Sequence, residues 1–184
     1  MRNNLIRVPS CDIHNLHKTK DDEYLLFVLI SHFQNNEVCQ QQILTKFIRA
    51  LKRKPHLASL FLKEYRGAIV NGKKTIAYKV DDERFNKSIE HVAKGIFYSH
   101  FKQKWVYPFN VVSFAFYKID DPDFNKYVQN GFIKILESFE KDKAIGANPQ
   151  VFKYKIHRSY DPDICLILMT FYEGFHVIAA SQKV

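Results

Sequence analysis

The sequence predicts an α+β fold, an antiparallel sheet of about five strands with segregated helices. Three observations carry the prediction. Apolar residues recur at helical spacing in several separate segments. Asn71-Gly72 and Glu173-Gly174 each stand between extended runs, as in hairpins. The last third of the chain is rich in β-branched and aromatic residues. At about 150 residues per domain, 184 residues amount to one compact domain.

In chain order, Leu5-Ile6-Arg7-Val8 reads as a short strand ended by Pro9, followed by a polar turn. Asp21 and Asp22 open the first predicted helix, because carboxylates in a first turn complement the helix dipole. Ile43, Leu44, Phe47, Ile48 and Leu51 line one face of a second helix that ends before Pro55. A short third helix is expected over residues 56–65.

A hairpin over residues 67–80 turns at Asn71-Gly72, which supplies the positive φ angles of a two-residue connection. From Asp82, the residues Phe85, Ile89, Val92, Ile96 and Phe97 restore the helical period, with an end expected near residues 102–104. Residues 111–119 read as a strand. Asp120-Asp121-Pro122 marks a helix start, and Phe124, Val128, Phe132, Ile135 and Phe139 form its stripe. Gly146 and Asn148-Pro149 are expected to stop it. Strands are expected over residues 151–157, 164–171 and 175–180, the last two joined by a tight turn at Glu173-Gly174.

Composition narrows the function classes. With 46% hydrophobic and 26% charged residues the chain is folded rather than disordered. No apolar run reaches the roughly 18–20 residues of a membrane span, so no membrane partner is expected. The first residues lack the apolar core of a secretory signal. Three cysteines at wide spacing argue against a disulfide framework and for a reducing, cytoplasmic setting. Lys and Arg total 28 against 19 Asp and Glu, a net charge of +9 that favours an anionic partner. No Gly-rich phosphate loop, no G-x-S-x-G elbow and no H-E-x-x-H pair is present.

Cys11 and His14 stand at C-x-x-H spacing in the turn expected after Pro9. Thiolate and imidazole are zinc ligands, but two of them make half a closed tetrahedral site. The stretch Val8-Pro9-Ser10-Cys11-Asp12-Ile13-His14-Asn15, continuing through Lys18-Thr19-Lys20-Asp21-Asp22-Glu23-Tyr24, resembles the C-terminal half of an HNH endonuclease motif. His91-Val92-Ala93-Lys94-Gly95-Ile96-Phe97-Tyr98-Ser99-His100-Phe101 resembles an aromatic helix in the C-terminal region of that family, and residues 151–154 and 171–174 are similar to its closing strands.

The resemblance implies a partial ββα-metal turn over residues 1–22, a truncated remnant, followed by an α+β domain over residues 23–184. It implies zinc at Cys11 and His14, with Asn3 or Asn4 in the place of the central asparagine. Asn15 or His17 would face a divalent metal, needed only if the chain cuts nucleic acid. The first strand of the motif and its general-base histidine have no counterpart here. Hydrolysis of a phosphodiester requires an activated water and a cation, so this chain alone is expected not to be catalytic. A separately encoded N-terminal half would complete the motif.

The basic residues give the binding expectation. Lys46, Arg49, Lys52, Arg53 and Lys54, with Lys18 and Lys20, would straddle phosphates of DNA or another nucleic acid. Positional contacts of this kind fix the backbone without reading sequence. Equally, they describe the solvated face of an amphipathic helix. Trp105 and Tyr107, beside Lys102 and Lys104, fit either a stacking platform or core. Three carboxylates at Asp120, Asp121 and Asp123 suit a cation less well than helix capping. The expected function is an HNH-related, nucleic-acid-associated protein. The alternative is a protein-binding module, as a homodimer or with another partner, that uses aromatic surface instead of charge.

Overall fold

Residues 10–54 contain neither glycine nor proline, so the first helix has nothing to stop it where the sequence suggests a turn. The computed structural model describes residues 12–43, 45, 48–53, 65–70, 72–106, 109–118, 120–158 and 164–181; for residues 12–20, 50, 70, 73, 109 and 158 it describes the backbone alone. Helix α1 spans Asp12–Ile30. His14, Asn15 and His17 therefore lie on a helix and not on a turn, and Asp21 and Asp22 sit inside that helix and do not open it. Asp21 instead ties α1 to a later helix, its Oδ1 accepting from Arg84 Nε at 2.7 Å. The Arg84 guanidinium also lies 4.4 Å from the centre of the Tyr24 ring. Cys11 and the expected strand over residues 5–8 lie outside the described residues.

Helix α2 is Glu37–Gln42 and helix α3 is Ile48–Arg53. The single amphipathic helix expected through Ile43 and Leu51 is thus divided. Ile43 and Thr45 adopt the wider π-type turn, and the Thr45 hydroxyl donates to the Gln41 carbonyl at 2.6 Å, a local bond that competes with the regular ladder. Both Ile43 and Leu51 still pack on the main core. The third helix expected over residues 56–65 falls almost wholly outside the described residues.

Strands β1 (Tyr65–Val70) and β2 (Lys73–Tyr78) pair antiparallel as a separate hairpin. Gly72 takes φ +76° at its turn, as the Asn-Gly dipeptide predicts. Helix α4 (Asp82–Phe101) starts where Asp81 accepts from the Arg84 backbone N–H and ends on Lys102 in the left-handed region. Strand β3 is Phe109–Ser113, shorter than the expected strand over residues 111–119. The Ser113 hydroxyl accepts from the Ala115 backbone N–H at 3.3 Å and draws the chain out of the ladder. Helix α5 (Pro122–Ser138) is capped by Asp121, which accepts from Phe124 N at 2.9 Å. It ends before Phe139, so Gly146 and Asn148 do not stop the helix; they belong to strand β4 (Ile145–Asn148). Strands β5 (Phe152–Arg158), β6 (Cys165–Phe171) and β7 (Phe175–Ser181) follow.

The larger sheet has five strands in the order β3-β7-β6-β5-β4, each pair antiparallel. Its two faces separate by the period of two along β6 and β7. Ile167, Met169, Val177 and Ala179 pack with Val28 of α1 and with Phe85, Ile89 and Ile96 of α4. Leu168 and Ile178 join Phe114 and Phe139 in a second cluster, covered by Val128, Phe132 and Ile135 of α5. The fold is α+β, with the sheet between two helical layers.

Candidate functional site

A cleft of about 1030 Å³ opens between the β1–β2 hairpin, the end of α1, the start of α4, strand β3 and the start of α5. Ligand sites in proteins occupy roughly 300–1,000 Å³, so the space is large enough for a small organic molecule. Its aromatic lining includes Phe33, Phe116 and Tyr117. The Phe33 and Tyr117 rings meet at 5.8 Å between centres, and Phe116 is held edge-on to Phe85 at 4.8 Å. Phe116 and Tyr117 are available to the cleft because the strand ends at Ser113. Asn125 holds the segment that carries them: its side chain donates to the Lys118 carbonyl at 2.7 Å and accepts from the Lys118 N–H at 2.8 Å.

The Tyr117 phenol oxygen accepts from Gln129 at 3.0 Å, which leaves its own proton free to donate. Burial pushes that phenol up, so it stays protonated at neutral pH. Burial likewise pushes Tyr78, on the hairpin wall, up to about 12. At the cleft wall His32 is held neutral: burial lowers it to about 4, and the neighbouring His176 pushes in the same direction. The Ala115 backbone favours the charged ring slightly, without completing a hydrogen bond. Neither ring nitrogen of His32 has a hydrogen-bond partner among the described residues.

Across one mouth of the cleft, Arg66 of β1 reaches Asp120 at 2.8 Å. Both side chains are more than half exposed, 59% and 79%, so the pair adds little stability. Lys118 lies over the Phe124 ring at 3.8 Å. Toward the start of α4, Lys79, Asp82 and Asn86 also line the cleft. All three are exposed. They make no side-chain hydrogen bond or ion pair among the described residues. Asp82 and Asn86 are one turn apart on the same helix, which sets them on one side of it.

Of the residues singled out from sequence, Arg49, Lys52 and Arg53 are exposed on α3. None of them has a carboxylate in ion-pair range among the described residues. Lys46 and Lys54 lie outside the described residues, as do Asn3, Asn4, Cys11 and Tyr107. For His14, Asn15, His17, Lys18 and Lys20 the structure gives positions along α1 only.

Trp105 is core and not a platform, 7% exposed and packed 4.5 Å from Phe97. In the acidic trio, Asp121 caps α5 and Asp120 pairs with Arg66. Cys39 and Cys165 are both buried. Among the described residues no three His, Cys, Asp or Glu gather as a metal would need. The zinc that the HNH resemblance implies would be held by Cys11 and His14, whose side chains lie outside the described ones.

Sequence reasoning missed the cleft. Its lining comes from segments far apart in the chain, and only the aromatic run Phe114-Ala115-Phe116-Tyr117 hinted at more than a strand. No family model, curated protein or solved structure matches this chain.

Proposed function

We propose that the chain is a nucleic-acid-associated protein of HNH-endonuclease kinship that binds, and acting alone does not cut. The observation that carries the reading is the charge on α3. Arg49, Lys52 and Arg53 stand exposed there, while Leu51 packs on the core and so fixes the helix against the body. The whole chain carries a net charge of +9, which adds a long-range attraction to polyanions. Each cation placed on a phosphate releases condensed counterions, giving affinity that needs no base contact and falls as salt rises. The HNH resemblance covers the second half of the motif, and the reading takes from it association with nucleic acid.

The test is the triple variant Arg49→Ala, Lys52→Ala, Arg53→Ala against single- and double-stranded oligonucleotides. Loss of three phosphate contacts should make the slope of log affinity on log salt shallower by about 2–3. Affinity at low salt should fall about tenfold or more. The melting temperature should hold, because the three side chains are exposed. Supercoiled plasmid should stay intact with Mg²⁺ or Mn²⁺. Unchanged affinity in the triple variant, or cleavage by the wild type, contradicts the proposal.

A second reading is favoured by one feature of the hairpin. Tyr65, Ile69 and Ile76 share one face by strand register and are 62%, 72% and 64% exposed. Such a patch suits a protein partner. Binding through it would hardly respond to salt, which separates the two readings.

A further inference from the structure

We infer that the cleft beside the hairpin is a nucleotide site, taking one base, its sugar and one phosphate. The inference deepens the nucleic-acid reading and rests on it. The aromatic wall comes first. Phe33 and Tyr117 touch each other with their planes 56° apart, and both line the cleft, so a planar ring can lie against one and meet the other at an angle. A base stacks on such a wall whatever its identity. The Tyr117 phenol, having accepted from Gln129, has its proton left for an acceptor on the ring.

The unengaged groups at the start of α4 supply the rest. Asn86 offers an amide, donor and acceptor side by side, the arrangement that reads a base edge. Asp82 offers carboxylate oxygens to sugar hydroxyls. Lys79 offers an ammonium to a phosphate. Charge sets the number of phosphates. The lining cations Arg66, Lys79 and Lys118 are matched by Asp82, Asp120 and Asp121, and Arg66 is already engaged with Asp120. One phosphate finds Lys79 free, whereas two more would meet as many carboxylates as cations.

The ligand has two sources, a free nucleotide or one unit of a single strand. Calorimetric titration of the full chain with adenosine, adenosine monophosphate, adenosine triphosphate and a short single-stranded oligonucleotide separates them. Tyr117→Leu should weaken the monophosphate about tenfold through lost stacking. Lys79→Ala should weaken the monophosphate and leave adenosine unchanged. The triphosphate should bind no more than about twofold tighter than the monophosphate. Displacement of bound monophosphate by the single strand assigns the polymer as source; binding without displacement assigns the free nucleotide. Either result supports the site.

Adenosine monophosphate that fails to bind at millimolar concentration overturns the inference. So does binding indifferent to both Tyr117→Leu and Lys79→Ala. If oligonucleotides still bind in those cases and respond to the α3 variant, the cleft assignment fails while the proposed function stands. If no oligonucleotide binds, both fail.

Discussion

His32 couples stability to pH. Its ring titrates near 6.5 when unfolded and near 4 when folded, chiefly because burial excludes the charged form. As pH falls below 6.5 the unfolded chain takes up a proton that the folded chain refuses, so stability is complete above that value and drains toward 4. By about pH 4.5 the loss from this residue alone should reach roughly 2–3 kcal/mol. His176 is lowered by burial and by Lys153, and acts with the same sign. Urea unfolding of the wild type and of His32→Phe at about pH 7 and about pH 4.5 checks this. The variant should lose less stability on acidification, and an equal loss in both proteins would contradict the assignment.

Residue-scale features are unevenly legible in the sequence. Gly72 is readable because Asn-Gly has one common use. The second hairpin is readable too, at Glu173-Gly174, but its backbone is not: Tyr172 and Glu173 carry the positive φ angles, 49° and 61°, at positions where glycine is the usual choice. Gly174 is needed for another reason. A Cβ there would meet the Gln34 carbonyl oxygen at 2.3 Å, so the turn and the loop before α2 must touch backbone to backbone. Asn36 stitches the same junction, its N–H donating to the Tyr172 carbonyl at 3.0 Å and its side chain to the Gln150 carbonyl at 2.8 Å. No local pattern announces a contact between segments so far apart.

Among the elements, α4 and the start of α5 are legible because cap, dipole and apolar stripe agree: Asp81 and Asp121 each close a first turn. The start of α1 is not, because Asp21 and Asp22 look like a first turn until Arg84 supplies a different reason for Asp21. Helix α5 is the least buried of the long helices, with no side chain fully inside. Gly131 lies in its interior, with open space around the position of a Cβ. Gly131→Ala should therefore stabilise by about 0.5–1 kcal/mol, through helix propensity and a less flexible unfolded chain. A rise in melting temperature of about 1–4 °C is expected, and a fall would show that the space is needed.

At the scale of the whole molecule, the sheet and its two cores follow from alternation that the sequence displays openly. Where the hairpin stands does not. The β1–β2 pair is recognisable from Asn71-Gly72, yet its use as one wall of a cleft goes with Tyr78 packing 5.1 Å from Phe27, while Arg66 meets Asp120 across the mouth. Those contacts join distant parts of the chain and leave no periodic trace. The basic character, by contrast, is legible from composition, and the structure adds that the described members of the α3 cluster face solvent.

Association with nucleic acid is the central claim, and the salt dependence of oligonucleotide binding by the unmodified chain tests it most directly. Fluorescence anisotropy between about 50 and 200 mM salt should show log affinity falling linearly with log salt, at a slope corresponding to several phosphate contacts. An affinity that is undetectable at the low end, or that stays level across the range, would contradict the account.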